Sequence, residues 1–201
     1  VPVMGSIYFG AMLIALLFNF NLILPAFKLI FIDAFNGTAI AGGTFFGVLI
    51  YGVRRGAFSN EAGMGTESLV HGVAKVSNPV KQGLVAMTGP IFDTLIICTA
   101  TALMILISGV WETSSSQGVT LTAEAFAMLL GSFGSLILFI CVICFGLSTI
   151  FTYSYYGASC SRFLFGNLGM KFYVYLYILS IFIYSIVPID IAINIADGAF
   201  A

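Results

Sequence analysis

Residues 125–161 read AFAMLLGSFGSLILFICVICFGLSTIFTYSYYGASCS, a run without a single charged side chain. The hydrocarbon core of a bilayer is about 30 Å thick and a helix crosses it in roughly 20 apolar residues. This run is longer than one perpendicular crossing requires, so it reads as a transmembrane helix that tilts or projects beyond the lipid. With no water at that depth, every backbone polar group must find its partner inside the protein, and the segment should be helical.

The same reasoning extends outward along the chain. Residues 1–24 are uncharged and long enough for one span, while 82–111 and 172–187 form two more. Residues 38–53 make a shorter one, in which Gly42, Gly43, Gly47 and Gly52 fall before the first charge. The expected architecture is therefore an all-α polytopic membrane helix bundle. It has about five spans, at 1–24, 38–53, 82–111, 125–158 and 172–187, in one domain covering 1–201. Pro188 ends the fifth, and 190–201 reads as the start of a sixth. Residues 25–36 carry Lys28 and Asp33 among bulky apolar neighbours, which suits a short interfacial helix.

Composition agrees with this class. The 201 residues are 60% hydrophobic and 7% charged, against roughly 45–50% and 25% in soluble domains. A net charge of −1 with no basic cluster speaks against nucleic-acid binding. Cys98, Cys141, Cys144 and Cys160 sit in or beside apolar runs and read as small buried hydrophobes, and with His71 the single histidine a closed zinc site lacks ligands. The chain starts at Val1 inside an apolar run and stops as abruptly, so the expectation is a piece of a longer protein.

The one substantial polar stretch is 54–81, which includes RRGAFSNEAGMGTES and closes near Asn78-Pro79. Positive residues collect in cytoplasmic loops. Arg54, Arg55, Lys75 and Lys81 lie between the second and third spans, Arg162 and Lys171 between the fourth and fifth, and Lys28 alone on the other side. Hence the Val1 end and loop 54–81 are expected in the cytoplasm of a multi-pass inner-membrane protein, and 112–124 outside.

Glycines in apolar helices usually serve close packing, the preferred reading of Gly47 and Gly52. Adjacent Gly42-Gly43 in a short span instead offers a place for the helix to open. Transporters use such breaks to aim bare amides and carbonyls at a small charged solute, and Phe45 or Phe46 could wall the pocket. Ser148 and Thr149 lie deep in the fourth span. Their ordinary fate is a bond back to a carbonyl one turn earlier, yet paired hydroxyls also suit a hard cation such as sodium. Asp93 near a helix start reads as a helix-dipole carboxylate, and His71 as a solvated loop residue. Ser59 and Asn60 read either as helix caps or, with Arg55 and Glu61, as parts of an inner gate.

Gly52, Arg55-Gly56 and the run FSNEAGMG at 58–65, followed by QGLVAMTGPIFDTLIICTATALMILISGVW at 82–111, resemble the signature region of the alanine or glycine:cation symporter family. The similarity runs more loosely through STIFTYSYYG at 148–157. The resemblance implies part of a leucine-transporter-like inverted-repeat fold of the APC superfamily, with the remaining helices of the transporter outside this sequence. It implies a sodium-coupled symporter of alanine or glycine working by alternating access, with no cofactor beyond the coupling ion; a proton is the less favoured ion. Gly42, Gly43 and Phe46 would then face substrate, and Ser148 and Thr149 would supply half of a sodium site. Where family members often carry a tryptophan, this sequence has Tyr153, readable equally as a pocket residue or a packing residue. The rival classes are an ion channel and a membrane-embedded enzyme, and no convergent catalytic set appears in the spans.

Overall fold

The computed structural model describes residues 2–35, 44–61, 65–188, 191, 192, 195 and 198, with the backbone alone at 44 and 45. Those residues are helical or in short turns, and they gather into two compact units, Val1–Phe145 and Gly146–Ala201. All-helical architecture follows from the medium: each helix bonds its own amides and carbonyls, so apolar side chains can face lipid without stranding a polar backbone. Gly42 and Gly43 lie outside the described residues.

In the first unit α1 (Pro2–Phe18) meets α2 (Phe20–Ala34) at a bend of 96°. The bend falls inside the segment 1–24 that the sequence reads as one span. Asn19 makes it possible, because its side-chain amide donates to the Ala15 carbonyl at 2.9 Å and its own carbonyl accepts the Leu22 amide at 2.9 Å. The Ala15 carbonyl thus accepts the Asn19 side chain in addition to the Asn19 backbone amide at 3.2 Å, and the Leu22 amide finds its acceptor at the bend itself. The polar stretch holds α3 (Thr44–Ser59) and the short α4 (Thr66–His71).

The long helix α5 (Pro79–Ser108) has clear signals at both ends. Asn78 accepts the Val80 amide at 2.9 Å and Pro79 occupies the first turn, where its missing N–H costs nothing. Gly109, at φ 69°, closes the other end in the left-handed conformation that glycine adopts without steric cost. At Gly89-Pro90 the helix changes its period. Directly after Pro90 the ladder widens into a π-helical stretch, Ile91–Cys98, before α spacing resumes at Thr99. Proline cannot donate and its ring crowds the carbonyl four residues back, so the ladder cannot keep its register there.

After α6 (Val110–Thr113), α7 carries helical bonding from Val119 to Ile186, 68 residues. A straight helix of that size would be about 100 Å long, more than three hydrocarbon cores. Two glycines at positive φ break it: Gly131 at 68° in the first unit and Gly166 at 70° in the second. At Gly131 the chain doubles back so tightly that a β-carbon on Gly134 would collide with the carbonyl of Phe126. In the second unit the Tyr177 hydroxyl donates to the Ile150 carbonyl at 2.9 Å. In an unbroken helix those 27 positions would span about 40 Å. Legs 146–165 and 167–186 therefore form a hairpin, close enough that a β-carbon on Gly157 would strike the Tyr173 ring.

The core of the first unit joins Met12 and Ala15 of α1, Ala26 of α2, Leu103 and Met104 of α5, and Phe126 and Leu138 of α7. One polar knot lies against it. The Thr101 hydroxyl donates to the Ile97 carbonyl at 2.9 Å, so at the 3.0 Å contact it is the Tyr8 hydroxyl that donates to Thr101. The Tyr8 ring stacks on Phe126 at 5.7 Å and meets Phe145 edge-on at 6.0 Å. Outside the core, large apolar side chains stand open, among them Phe163 at 89%, Leu168 at 82% and Ile186 at 84% exposure. Soluble proteins do not carry apolar surface on this scale, and lipid or further protein is the solvent it requires. Among the described residues α5 and α7 are each long and apolar enough to cross a membrane, as is the bent α1–α2 pair if counted as one broken span.

Gly134→Ala should destabilise the protein by about 1–3 kcal/mol, because the added methyl meets backbone that cannot rotate away. Thermal unfolding of the purified full-length protein in detergent checks this; an unchanged midpoint would mean the doubling back at Gly131 is not held as described.

Candidate functional site

The residues singled out from sequence fall into the two units separately. Phe46, Arg55, Ser59, Asn60 and Glu61 belong to the first, Ser148, Thr149 and Tyr153 to the second. Phe46 sits in the first turn of α3 with its ring 65% exposed.

The polar loop after α3 is tied to α5 by two side-chain hydrogen bonds. Ser59 and Asn60, read from sequence either as caps or as parts of an inner gate, reach across to α5. The Ser59 hydroxyl donates to Asp93 Oδ2 at 2.6 Å and the Asn60 side-chain amide donates to Thr94 Oγ1 at 2.7 Å. Two consecutive donors thus meet two consecutive acceptors, both within the π-helical stretch. A bond to an ionised carboxylate is the shorter and stronger kind, and contributes about 1.5–3 kcal/mol where water is kept away and less at an exposed position such as this one. Asp93 and Thr94 as the partners of the loop were not legible from sequence. Their separation of 34 positions leaves no local spacing to read, and the wider helical register decides which way they face.

Around this contact the loop is only partly satisfied. Asn60 Oδ1, Glu61 Oε2 and Thr66 Oγ1 are buried with no hydrogen-bond partner among the described residues. Glu61 also holds φ at 53°, a left-handed conformation that non-glycine residues seldom adopt. Leaving such atoms bare costs about 1–3 kcal/mol each, so the loop is held in a conformation that is not its cheapest one locally. Arg55 lays its guanidinium over the Tyr51 ring one turn back, 4.9 Å from its centre. His71, expected in solvent, is half-buried. The Gln82 side-chain nitrogen lies 2.7 Å from His71 Nδ1, and since an amide N–H donates, the imidazole proton belongs on Nε2, which faces Glu67 at 3.4 Å.

In the second unit Ser148 is half-buried and Thr149 exposed. Thr152 donates its hydroxyl to the Ser148 carbonyl at 2.8 Å, the back-bond expected of a hydroxyl inside a helix. Tyr177 does the same from the facing leg to the carbonyl of Ile150. Two carbonyls within a turn of Ser148-Thr149 therefore each accept a side-chain hydroxyl, which fixes that stretch from its own leg and from its neighbour. Tyr153 packs edge-on against buried Tyr156 at 5.5 Å.

Long apolar helices, broken at glycine, proline and asparagine and exposing large apolar side chains, define a helical membrane protein. The chain belongs to the sodium:alanine symporter family, whose model it matches over residues 1–201. It is 38% identical to the sodium/alanine symporter AgcS of Methanococcus maripaludis, over 100% of this chain and 46% of that protein. It is likewise 38% identical to the uncharacterized transporter YflA of Bacillus subtilis, over 91% of this chain and 40% of the relative. A probable sodium/glutamine symporter, GlnT of Bacillus subtilis, is 38% identical over 78% of this chain and 33% of its own length. The chain thus spans less than half the length of each.

Tyr177→Phe should lower stability by about 0.5–1.5 kcal/mol, the net worth of one intramolecular hydrogen bond. Chemical denaturation of the full-length protein measures it; no change would show that the ring packing, without the hydroxyl, holds the hairpin.

Proposed function

We propose that this chain is part of a secondary active symporter that carries a small neutral amino acid, alanine or glycine, inward together with sodium by alternating access. The observation that carries the reading is family membership along the whole chain. The names of two relatives, a sodium/alanine and a probable sodium/glutamine symporter, support the ion and the substrate class while leaving the amino acid to experiment. In this reading the chain contributes about five spans of a leucine-transporter-like inverted-repeat bundle, and the other helices come from the rest of a longer transporter. Its Val1 end and loop 54–81 face the cytoplasm of the cell membrane.

Gly42, Gly43, Phe46 and Tyr153 are the substrate residues of this proposal: adjacent glycines in a short span allow a helix to open and offer backbone dipoles to a small zwitterion, and an aromatic side chain limits the size of what is bound. Gly42 and Gly43 lie outside the described residues, and Phe46 and Tyr153 belong to separate units. Ser148 and Thr149 offer oxygens to sodium, a hard cation. The restraint of their leg by Thr152 and Tyr177 supports this role, because a weak ion cage needs ligands that are already in place. Sodium and amino acid together favour a closed state, and reopening on the other side releases both.

The test is uptake of radiolabelled alanine and glycine into proteoliposomes containing the full-length protein, with and without a sodium gradient. Saturable uptake that needs sodium is expected. Flux that follows voltage without saturating would point to a channel and defeat the proposal. Replacing both hydroxyls, Ser148→Ala with Thr149→Ala, should raise the sodium KM about tenfold or more, equivalent to about 1.4 kcal/mol of lost ion binding. At saturating sodium the amino-acid KM should stay near its starting value.

A further inference from the structure

The π-helical stretch of α5 and the loop that grips it have no role in the binding chemistry above. We infer that Asp93 and Thr94 are gate residues, forming with Ser59 and Asn60 a latch that must let go during each transport cycle. The inference rests on the transporter reading and adds to it the moving contact.

Three features of the contact favour a latch over a permanent tie. First, both hydrogen bonds land on neighbouring positions of a π-helical stretch. A π turn holds one residue more than an α turn, and its return to α spacing rotates the residues on one side by about 100° relative to the other. A single register step would therefore withdraw Asp93 and Thr94 from both donors together. Second, the Ser59–Asp93 bond is exposed, so water can take over both groups when they part. A tie meant to be permanent would be shielded. Third, the gripping loop keeps Asn60 Oδ1, Glu61 Oε2 and Thr66 Oγ1 without partners among the described residues and bends Glu61 to φ 53°. A loop that leaves polar atoms unmet in one arrangement has something to gain in another.

The latch can be locked covalently. In a full-length background whose native cysteines have been replaced and which still takes up substrate, Asn60→Cys and Thr94→Cys are introduced together and bridged with a short, reducible bifunctional thiol reagent. The expected result is that bridging abolishes most sodium-dependent uptake, that reduction restores it in the same sample, and that equilibrium binding of alanine or glycine survives bridging. Uptake by the bridged protein at the rate of the reduced sample would overturn the inference. Thr94→Val gives a second reading that needs no bridge, since it removes the acceptor while keeping the shape. Turnover should change several-fold with the amino-acid KM unaltered, and Thr94→Ser should return it; turnover equal to the parent would likewise overturn the latch. If the unmodified full-length protein binds neither amino acid and shows no sodium-dependent uptake, it is the transporter reading that fails.

Discussion

Everything in this structure depends on the hydrogen bonding of the peptide backbone where water is absent. An unpaired amide or carbonyl in hydrocarbon costs several kcal/mol by order of magnitude, which confines the chain to helices and makes every interruption something that must be repaired locally. The interruptions seen here are repaired in different ways. At Asn19 a side-chain amide adds a second bond to the Ala15 carbonyl, and the Asn19 carbonyl accepts the Leu22 amide across the bend. At Gly131 and Gly166 a left-handed glycine lets the chain reverse within a residue or two. After Pro90 the ladder stays bonded but changes its period. Function in such a protein has to be placed at these interruptions, since a regular helix presents no free backbone dipoles.

Side-chain polarity follows the same constraint. Tyr8 and Thr101 pair beside the apolar core of the first unit, with Thr101 in turn bonded to its own helix. Thr152 and Tyr177 spend their hydroxyls on carbonyls. Among the described residues, the buried side-chain atoms left without a partner belong to Asn60, Glu61 and Thr66. The departure occurs next to the π-helical stretch and in the segment that carries the family's signature residues. A polar network left incomplete is costly in a low-dielectric setting, and its persistence at one place is more easily understood as a requirement of motion than of stability.

Much of the helical framework was legible from residues alone, because the signals were strong and local. Asn78-Pro79, where the polar stretch was read to close, marks the start of α5, and uncharged runs of sufficient length mark what can lie in lipid. The right-angle bend at Asn19 was not legible. Nothing in the apolar run distinguishes a straight span from one broken by a side chain that bonds its own preceding turn. Ser59 and Asn60 were ambiguous for a related reason: both are good caps, and their choice of Asp93 and Thr94 depends on contacts 34 positions away. His71 looked solvated because its partner Gln82 belongs to another helix.

By itself the sequence determined the solvent and therefore the class. An apolar stock this large, with so few charges, can only be covered by lipid or by more protein, and the sequence matches one family's model along residues 1–201. The tertiary structure alone decided where α7 reverses, how the second hairpin is held, and which groups the polar loop grips. Hydrophobicity is non-directional and can be summed along a chain, whereas hydrogen bonds require particular atoms within about 3 Å of each other, and that proximity exists only once the chain has folded.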